Sequence, residues 1–367
     1  MLNKTNRSPS AFRRGRIAVL LAWSMLPAAW ILLESGAVHG ESRPAKPFQA
    51  DLAAAAAGAP SSNHSNDAKA DARRTAEFQF NLSNGYRRDD IDWNIAGNPD
   101  GDNPNVLSEL TWDDIEIYQV RLQGALEIRR ILYARGSAGY GWILDGDNQD
   151  SDYDADNRNE EYSRSNNQTR DDDVWDLSAG VGYPFRPGRS SAIRIAPMIG
   201  YSYHEQNLRI TDGFQTIATP GRTPPVGPIQ GLDSTYDTQW HGPWAGVDLQ
   251  FGTPLDSRWL HRFEIGGSFE YHWLDYEAVA KWNLRSDLDQ NKSFKHEADG
   301  TGVVLSAFGR LFFTRHWAVQ VEGTYLNWST DEGTDTVFLA DGSRLKTQLN
   351  EVNWKSYSVM AGLTFQF

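Results

Sequence analysis

The chain has 367 residues and no cysteine, and its 48 acidic and 35 basic side chains leave a formal net charge of −13. The missing thiols exclude disulfides, thiol catalysis and a lipid-modified N-terminal cysteine. So acidic a balance also argues against nucleic acid as a partner, because a phosphate backbone is held by clustered Lys and Arg.

Residues 1–40 have the layout of a secretory signal peptide. Arg13, Arg14 and Arg16 flank a mostly apolar run from Ile17 to Leu33, and Val38 and Gly40 are the small residues a signal peptidase accepts. Cleavage after Gly40 removes five basic residues and Glu34, which takes the formal charge from −13 to −17. Residues 41–75, with Ala53–Ala57 and a Ser/Asn/Asp-rich patch, carry no usable periodicity and read as a disordered periplasmic leader.

Residues 76–367 then repeat one pattern ten times. Strands are predicted over 76–90, 107–128, 131–144, 172–185, 190–212, 232–253, 259–284, 293–313, 316–330 and 346–367. In each, apolar and polar side chains alternate, and a period of two puts them on opposite faces. Tyr118, Val120, Leu122 and Leu126 oppose Gln119, Arg121, Gln123 and Glu127, and Trp317, Val319, Val321 and Tyr325 oppose Gln320, Glu322 and Thr324. The last strand, Tyr357-Ser-Val-Met-Ala-Gly-Leu-Thr-Phe-Gln-Phe367, ends on an aromatic residue.

Short connections (129–130, 186–189, 254–257, 314–315) alternate with long polar ones near 91–106, 145–171, 213–231, 285–292 and 331–345. The predicted fold is therefore all-β, a ten-stranded antiparallel transmembrane β-barrel with short periplasmic turns and long extracellular loops. Closure is required because a membrane tolerates no unpaired sheet edge. The polar register, with Arg121, Glu127, Arg135, Arg194, Asp248, Glu264, Glu270, Arg310 and Glu322, is predicted to line and plug the lumen. Trp240, Trp244, Trp273, Trp317 and Trp328 are expected at the membrane interfaces.

The segment Phe263-Glu-Ile-Gly-Gly-Ser-Phe-Glu-Tyr271, the ending Ala361-Gly-Leu-Thr-Phe-Gln-Phe367 and the ten-strand layout resemble the omptins, outer-membrane proteases of Gram-negative bacteria. The resemblance implies an outer-membrane barrel that extends beyond the bilayer and a catalytic groove at its extracellular rim. It implies an Asp pair on one wall, an Asp–His pair on the other, and activity dependent on bound lipopolysaccharide. Asp150-Ser-Asp152-Tyr153 looks like the family's Asp-x-Asp-aromatic segment, which makes Asp150 and Asp152 catalytic candidates. Two carboxylates at i and i+2 of a strand repel, hold one pKa up and can share a proton.

The opposite wall departs from the family. Counting on from Tyr271 without a gap places Lys281 and Asn283 where the resemblance calls for Asp and His, and no histidine occurs between Trp273 and Phe294. Without an imidazole that wall offers no obvious group to accept a proton from the attacking water near neutral pH. His272 and His204 are the candidate substitutes, His272 completing the catalytic set with Asp150 and Asp152.

The connection from Asp145 to Asp173 holds eleven acidic residues and three Arg, net −8. Asp150, Asp152, Asp154, Asp156 and Glu161 fall at positions one, three, five, seven and twelve of a Ca²⁺-loop template, a candidate metal site, although Ala155 stands where the turn needs Gly. The alternative is a solvated loop kept mobile by its own repulsion.

Three functions follow. The first is a non-proteolytic outer-membrane barrel acting in surface interaction or envelope structure through acidic extracellular loops, with membrane lipid, lipopolysaccharide and an extracellular ligand or peptide as partners. The second is an omptin-like endopeptidase using Asp150 and Asp152. The third is a narrow cation-preferring channel.

Overall fold

The computed structural model describes residues 76–188 and 192–367; the predicted signal peptide and leader lie outside the described residues. The strands are β1 (Ala76–Ile95), β2 (Ser108–Ile128), β3 (Leu132–Ala155), β4 (Asn159–Thr169), β5 (Asp173–Gly182), β6 (Ile193–Ile217), β7 (Gly227–Pro228), β8 (Asp233–Pro254), β9 (Arg262–Lys281), β10 (Phe294–Phe312), β11 (Trp317–Thr330), β12 (Gly333–Phe338) and β13 (Arg344–Gln366). Every pairing is antiparallel. Ten strand positions close into a ring, with β4 and β5 sharing one position between β3 and β6, and β13 returning to pair with β1 from Gln79↔Gln366 to Asn94↔Glu351. The short β7 lies on β6, and β12 bridges β10 and β13.

Alternation sorts the ring's side chains as the sequence predicts. Phe80, Leu82, Leu122, Leu249, Phe251, Ile265, Val319, Val321 and Val359 face outward and are exposed, which forms an apolar belt. Tyr86, Tyr118, Trp142, Tyr201, Trp273 and Tyr357 edge the belt toward the long loops, and Phe185, Trp259, Phe313, Trp317 and Phe367 edge it toward the short turns. The strands run on past this upper edge: β6 leaves the belt at Tyr201 and ends only at Ile217. At ~3.3 Å per residue that is roughly 50 Å of further strand.

The interior has two storeys. Inside the belt it is ionic. Arg135 binds Asp248 through Nε at 2.8 Å and Glu270 through Nη2 at 2.8 Å, Arg310 donates to Glu264 at 2.7 Å, and Glu127 accepts from Arg186 at 2.6 Å. Arg121 reaches Glu322 at 3.3 Å, so every charged lumen residue expected from the sequence does point inward. Arg121, Arg135, Asp248, Glu270, Arg310 and Glu322 line a cavity of about 200 Å³. Buried ions are costly, and pairing mainly offsets their desolvation.

Above the belt the interior is apolar. Trp93, Trp112, Tyr236, Trp240, Tyr276, Trp328 and Trp354 meet with Ile91, Leu110, Ile115 and Ile117 in one continuous core. Trp240, Trp244 and Trp328 are thus buried inside the ring, whereas Trp273 and Trp317 do lie at the belt edges. Trp244 needs glycine beneath it: a Cβ at Gly200 would stand 2.3 Å from the indole.

The acidic connection at 145–171 is not the mobile loop its charge suggests. β3 continues to Ala155 and β4 returns from Asn159, pairing Asp150 with Ser165 and Asp152 with Ser163. Register shifts in β2 at Asp113 and Glu116 re-aim the upper half of β3. Asp150 and Asp152 then face inward, while Ser151 and Tyr153 are buried on the outer side, where the Tyr153 hydroxyl donates to Glu109 at 2.6 Å. Pairing on both flanks and these ion-linked contacts outweigh the like-charge repulsion.

Candidate functional site

The site is a mouth built from three walls. Asp150 and Asp152 stand on β3 beside Leu110 and Ser108 of β2. Burial pushes the Asp150 carboxyl well above the usual carboxylate range, and the neighbouring charge of Asp152 adds to the shift. Asp152 is also raised by burial, against the pull of hydroxyl groups from Ser108 and Ser163. The two carboxyls stand at i and i+2 on one face, so the titration of one depends on the charge of the other.

Opposite them is a guanidinium. Arg285, in the connection between β9 and β10, clamps Asp287 at 2.8 and 2.7 Å and places its charge close enough to lower both Asp150 and Asp152. Arg222, between β6 and β7, forms the third wall. It donates to Asp154 at 2.5 Å and lies 3.3 Å over the ring of Tyr162. Burial holds the Tyr162 phenol up at about 12. The mouth thus joins an acidic pair whose pKa values are raised to two cations that stay charged at any ordinary pH.

The family-equivalent positions are occupied otherwise. Lys281 ends β9 exposed, and Asn283 donates to the Gly231 carbonyl at 2.7 Å while accepting from the Asp233 amide, so it is a loop clasp. His272 is buried in the lumen, with Nε2 3.0 Å from Glu270 and Nδ1 3.2 Å from Ser202. Glu270 is held by Arg135, and Asp150 lies fifteen residues farther along β3 than Arg135. At ~3.3 Å per residue roughly 50 Å of strand separates the two, so His272 shares no site with Asp150 and Asp152. His204 is fixed on Asp176 at 2.8 Å, which also accepts from Arg87 at 2.9 Å. His296 is buried with Tyr236 at 2.9 Å and Asp335 at 3.4 Å.

The five carboxylates of the Ca²⁺-loop template do not converge. Asp150 and Asp152 face the mouth, Asp154 pairs with Arg222, Asp156 accepts from the Asn105 amide at 2.8 Å, and Glu161 takes a fork from Arg164 at 2.6 and 2.7 Å. Among the described residues no group of three His, Asp or Glu side chains comes together as a metal cage. The Asp pair was legible in the sequence; Arg285 and Arg222, on aperiodic connections, and Tyr162, on β4 beside the pair, were not.

A family model described as Protochlamydia outer membrane protein matches residues 81–367. No curated protein matches the chain. Among solved structures, outer membrane protease OmpT from Escherichia coli is similar with a TM-score of 0.63 at 12% identity, over 79% of this chain and 97% of that one. The translocator domain of the autotransporter NalP from Neisseria meningitidis gives a TM-score of 0.33 at 10% identity, over 82% and 92%. Outer membrane protein OprG from Pseudomonas aeruginosa gives 0.31 at 10%, over 80% and 97%. At these identities the likeness to OmpT is one of fold.

Proposed function

The chain belongs to the Protochlamydia outer membrane protein family, and from that premise we propose that it is a non-proteolytic barrel of the outer membrane, working through the acidic mouth it presents to the outside. The loop end faces outward, the turn end faces the periplasm, and lipopolysaccharide surrounds the upper edge of the belt. The mouth binds a ligand or peptide from outside the cell, with Asp150 and Asp152 as anchors for a cationic group and Arg285 and Arg222 for an anionic one.

One observation carries this reading: among the described residues the Asp pair is faced by Arg285 and by no imidazole. A guanidinium neither takes a proton from water nor returns one to a leaving amine near neutral pH, so the wall that faces the Asp pair supplies no general base. The two-storey interior supports the same reading against conduction, because the aromatic core spans the lumen above the ionic one.

Refolded protein, supplied with lipopolysaccharide and incubated with dibasic peptides, tests it. No cleavage above buffer is expected. Cleavage that Asp150→Ala and Asp152→Ala both abolish would overturn the proposal in favour of an endopeptidase, and a steady unitary conductance in a planar bilayer would overturn it in favour of a channel.

A further inference from the structure

The outer face of the belt is not uniform. Across β6, β8 and β9 it sinks into a groove of about 510 Å³, walled by Ile193, Leu249, Phe251, Ile265 and Phe269. The floor is low because Gly267 stands directly between Leu249 and Ala307 in the pairing ladder, on the outward register. Nothing larger fits there without moving backbone: a Cβ on Gly267 would lie 2.4 Å from the Ser306 carbonyl oxygen. The groove is thus a depression fixed by the backbone itself and walled by branched and aromatic side chains.

It lies at the turn end of the belt. Phe251 is three residues from the end of β8 at Pro254, and Ile265 three from the start of β9 at Arg262. The turn joining these strands carries Arg258 and Trp259. Trp259 is the most exposed of the large hydrophobic side chains at 73%, and the Arg258 guanidinium lies 5.3 Å from its ring centre. Arg262 is turned inward to Glu264 at 2.9 Å, and Asp256 is the acidic residue of the same turn. Arg129 and Arg315 are exposed on two other turns, so this rim is basic where the loop end is acidic.

We propose that the groove is a binding site for one anionic phospholipid, with an acyl chain seated over Gly267 and the headgroup phosphate against Arg258 and Trp259. The groove takes a hydrocarbon chain because its walls are carbon and water gains nothing there. The rim selects the headgroup: an amphipathic indole sits at headgroup level, and the guanidinium offers a planar fork that matches phosphate oxygens. A net-negative lipid gains more from a basic rim than a zwitterionic one. The proposal rests on the membrane placement of the barrel and is independent of what the mouth does.

Native mass spectrometry of the delipidated, folded barrel in detergent, titrated with phosphatidylglycerol or phosphatidylethanolamine, tests it. One saturable phosphatidylglycerol is expected, bound about tenfold more tightly than phosphatidylethanolamine. Leu249→Trp, which fills the groove from an exposed position, should abolish that site, and Val319→Trp, elsewhere on the belt, should leave it intact. Arg258→Gln should bring the two lipids to equal affinity. Heat-modifiability on gels checks that each variant is folded. Equal binding by Leu249→Trp and Val319→Trp would overturn the groove. Equal affinity for both lipids in the unsubstituted protein, or displacement of phosphatidylglycerol by inorganic phosphate alone, would overturn a lipid-specific site.

Discussion

Trp354 donates its indole N–H to Asp89 at 3.1 Å, and this bond ties the aromatic core to the ionic storey below it. Asp89 is fully buried and also takes both arms of Arg87, at 2.8 and 2.6 Å. Trp354→Phe keeps most of the ring and removes the donor to a buried carboxylate, at an expected cost of about 1.5–3 kcal/mol. Trp354→Ala also opens a cavity and should cost about 3–5 kcal/mol. Urea unfolding in detergent, followed by tryptophan emission, checks the order.

Arg135 serves two acids at once, Asp248 and Glu270, and through Glu270 it holds His272. Removing it by Arg135→Met strips Asp248 of its cation and leaves Glu270 with His272 alone, and a loss of about 3–5 kcal/mol is expected. The triple substitution Arg135→Met, Asp248→Asn, Glu270→Gln should recover much of that loss, since no net charge is then stranded. If the single and triple variants unfold at the same urea concentration, the mesh does not work as a unit.

Val359 faces outward in the belt and is 61% exposed. Val359→Arg should cost about 2–4 kcal/mol if that face meets hydrocarbon at mid-depth. The comparison is Asn353→Arg, above the belt edge on the same strand and outward register, where the change should be small. Refolding yield and unfolding midpoints in lipid vesicles measure both.

The mouth should respond to pH with a definite sign. A carboxyl raised by folding holds its proton longer in the folded chain than in the unfolded one. Its contribution is therefore fully present at low pH and is lost as pH rises through the raised value. Asp150 and Asp152 both move upward. Asp150→Asn removes that liability, so it should raise Tm relative to the unsubstituted protein by roughly 2–4 °C at pH 7 and by nothing measurable at pH 4. An equal offset at both pH values would mean the carboxyl is not held up.

Much of this architecture is legible in alternation alone, and the error over the tryptophans shows how far. Trp240 and Trp244 share the even register of Asp248 and Gln250, and Trp328 shares that of Gln320 and Glu322. Carrying the parity upward places all three indoles inside; an expectation based on residue type alone places them at the membrane edge. Parity fails at Asp113–Glu116, where β2 shifts register, and nothing in that run of residue types announces the shift. The Asp pair was legible because it lies on one strand. Arg285 and Arg222 were not, because they come from aperiodic connections whose path over the mouth alternation does not record.

The aromatic core draws one residue or more from each of β1, β2, β8, β9, β11 and β13, which no hairpin contains together. It cannot be assembled piecemeal, so its indoles stay wet until first and last strands have found each other. Closure is a non-local pairing, slow in kind, and the blue shift of these indoles follows it optically without any added label.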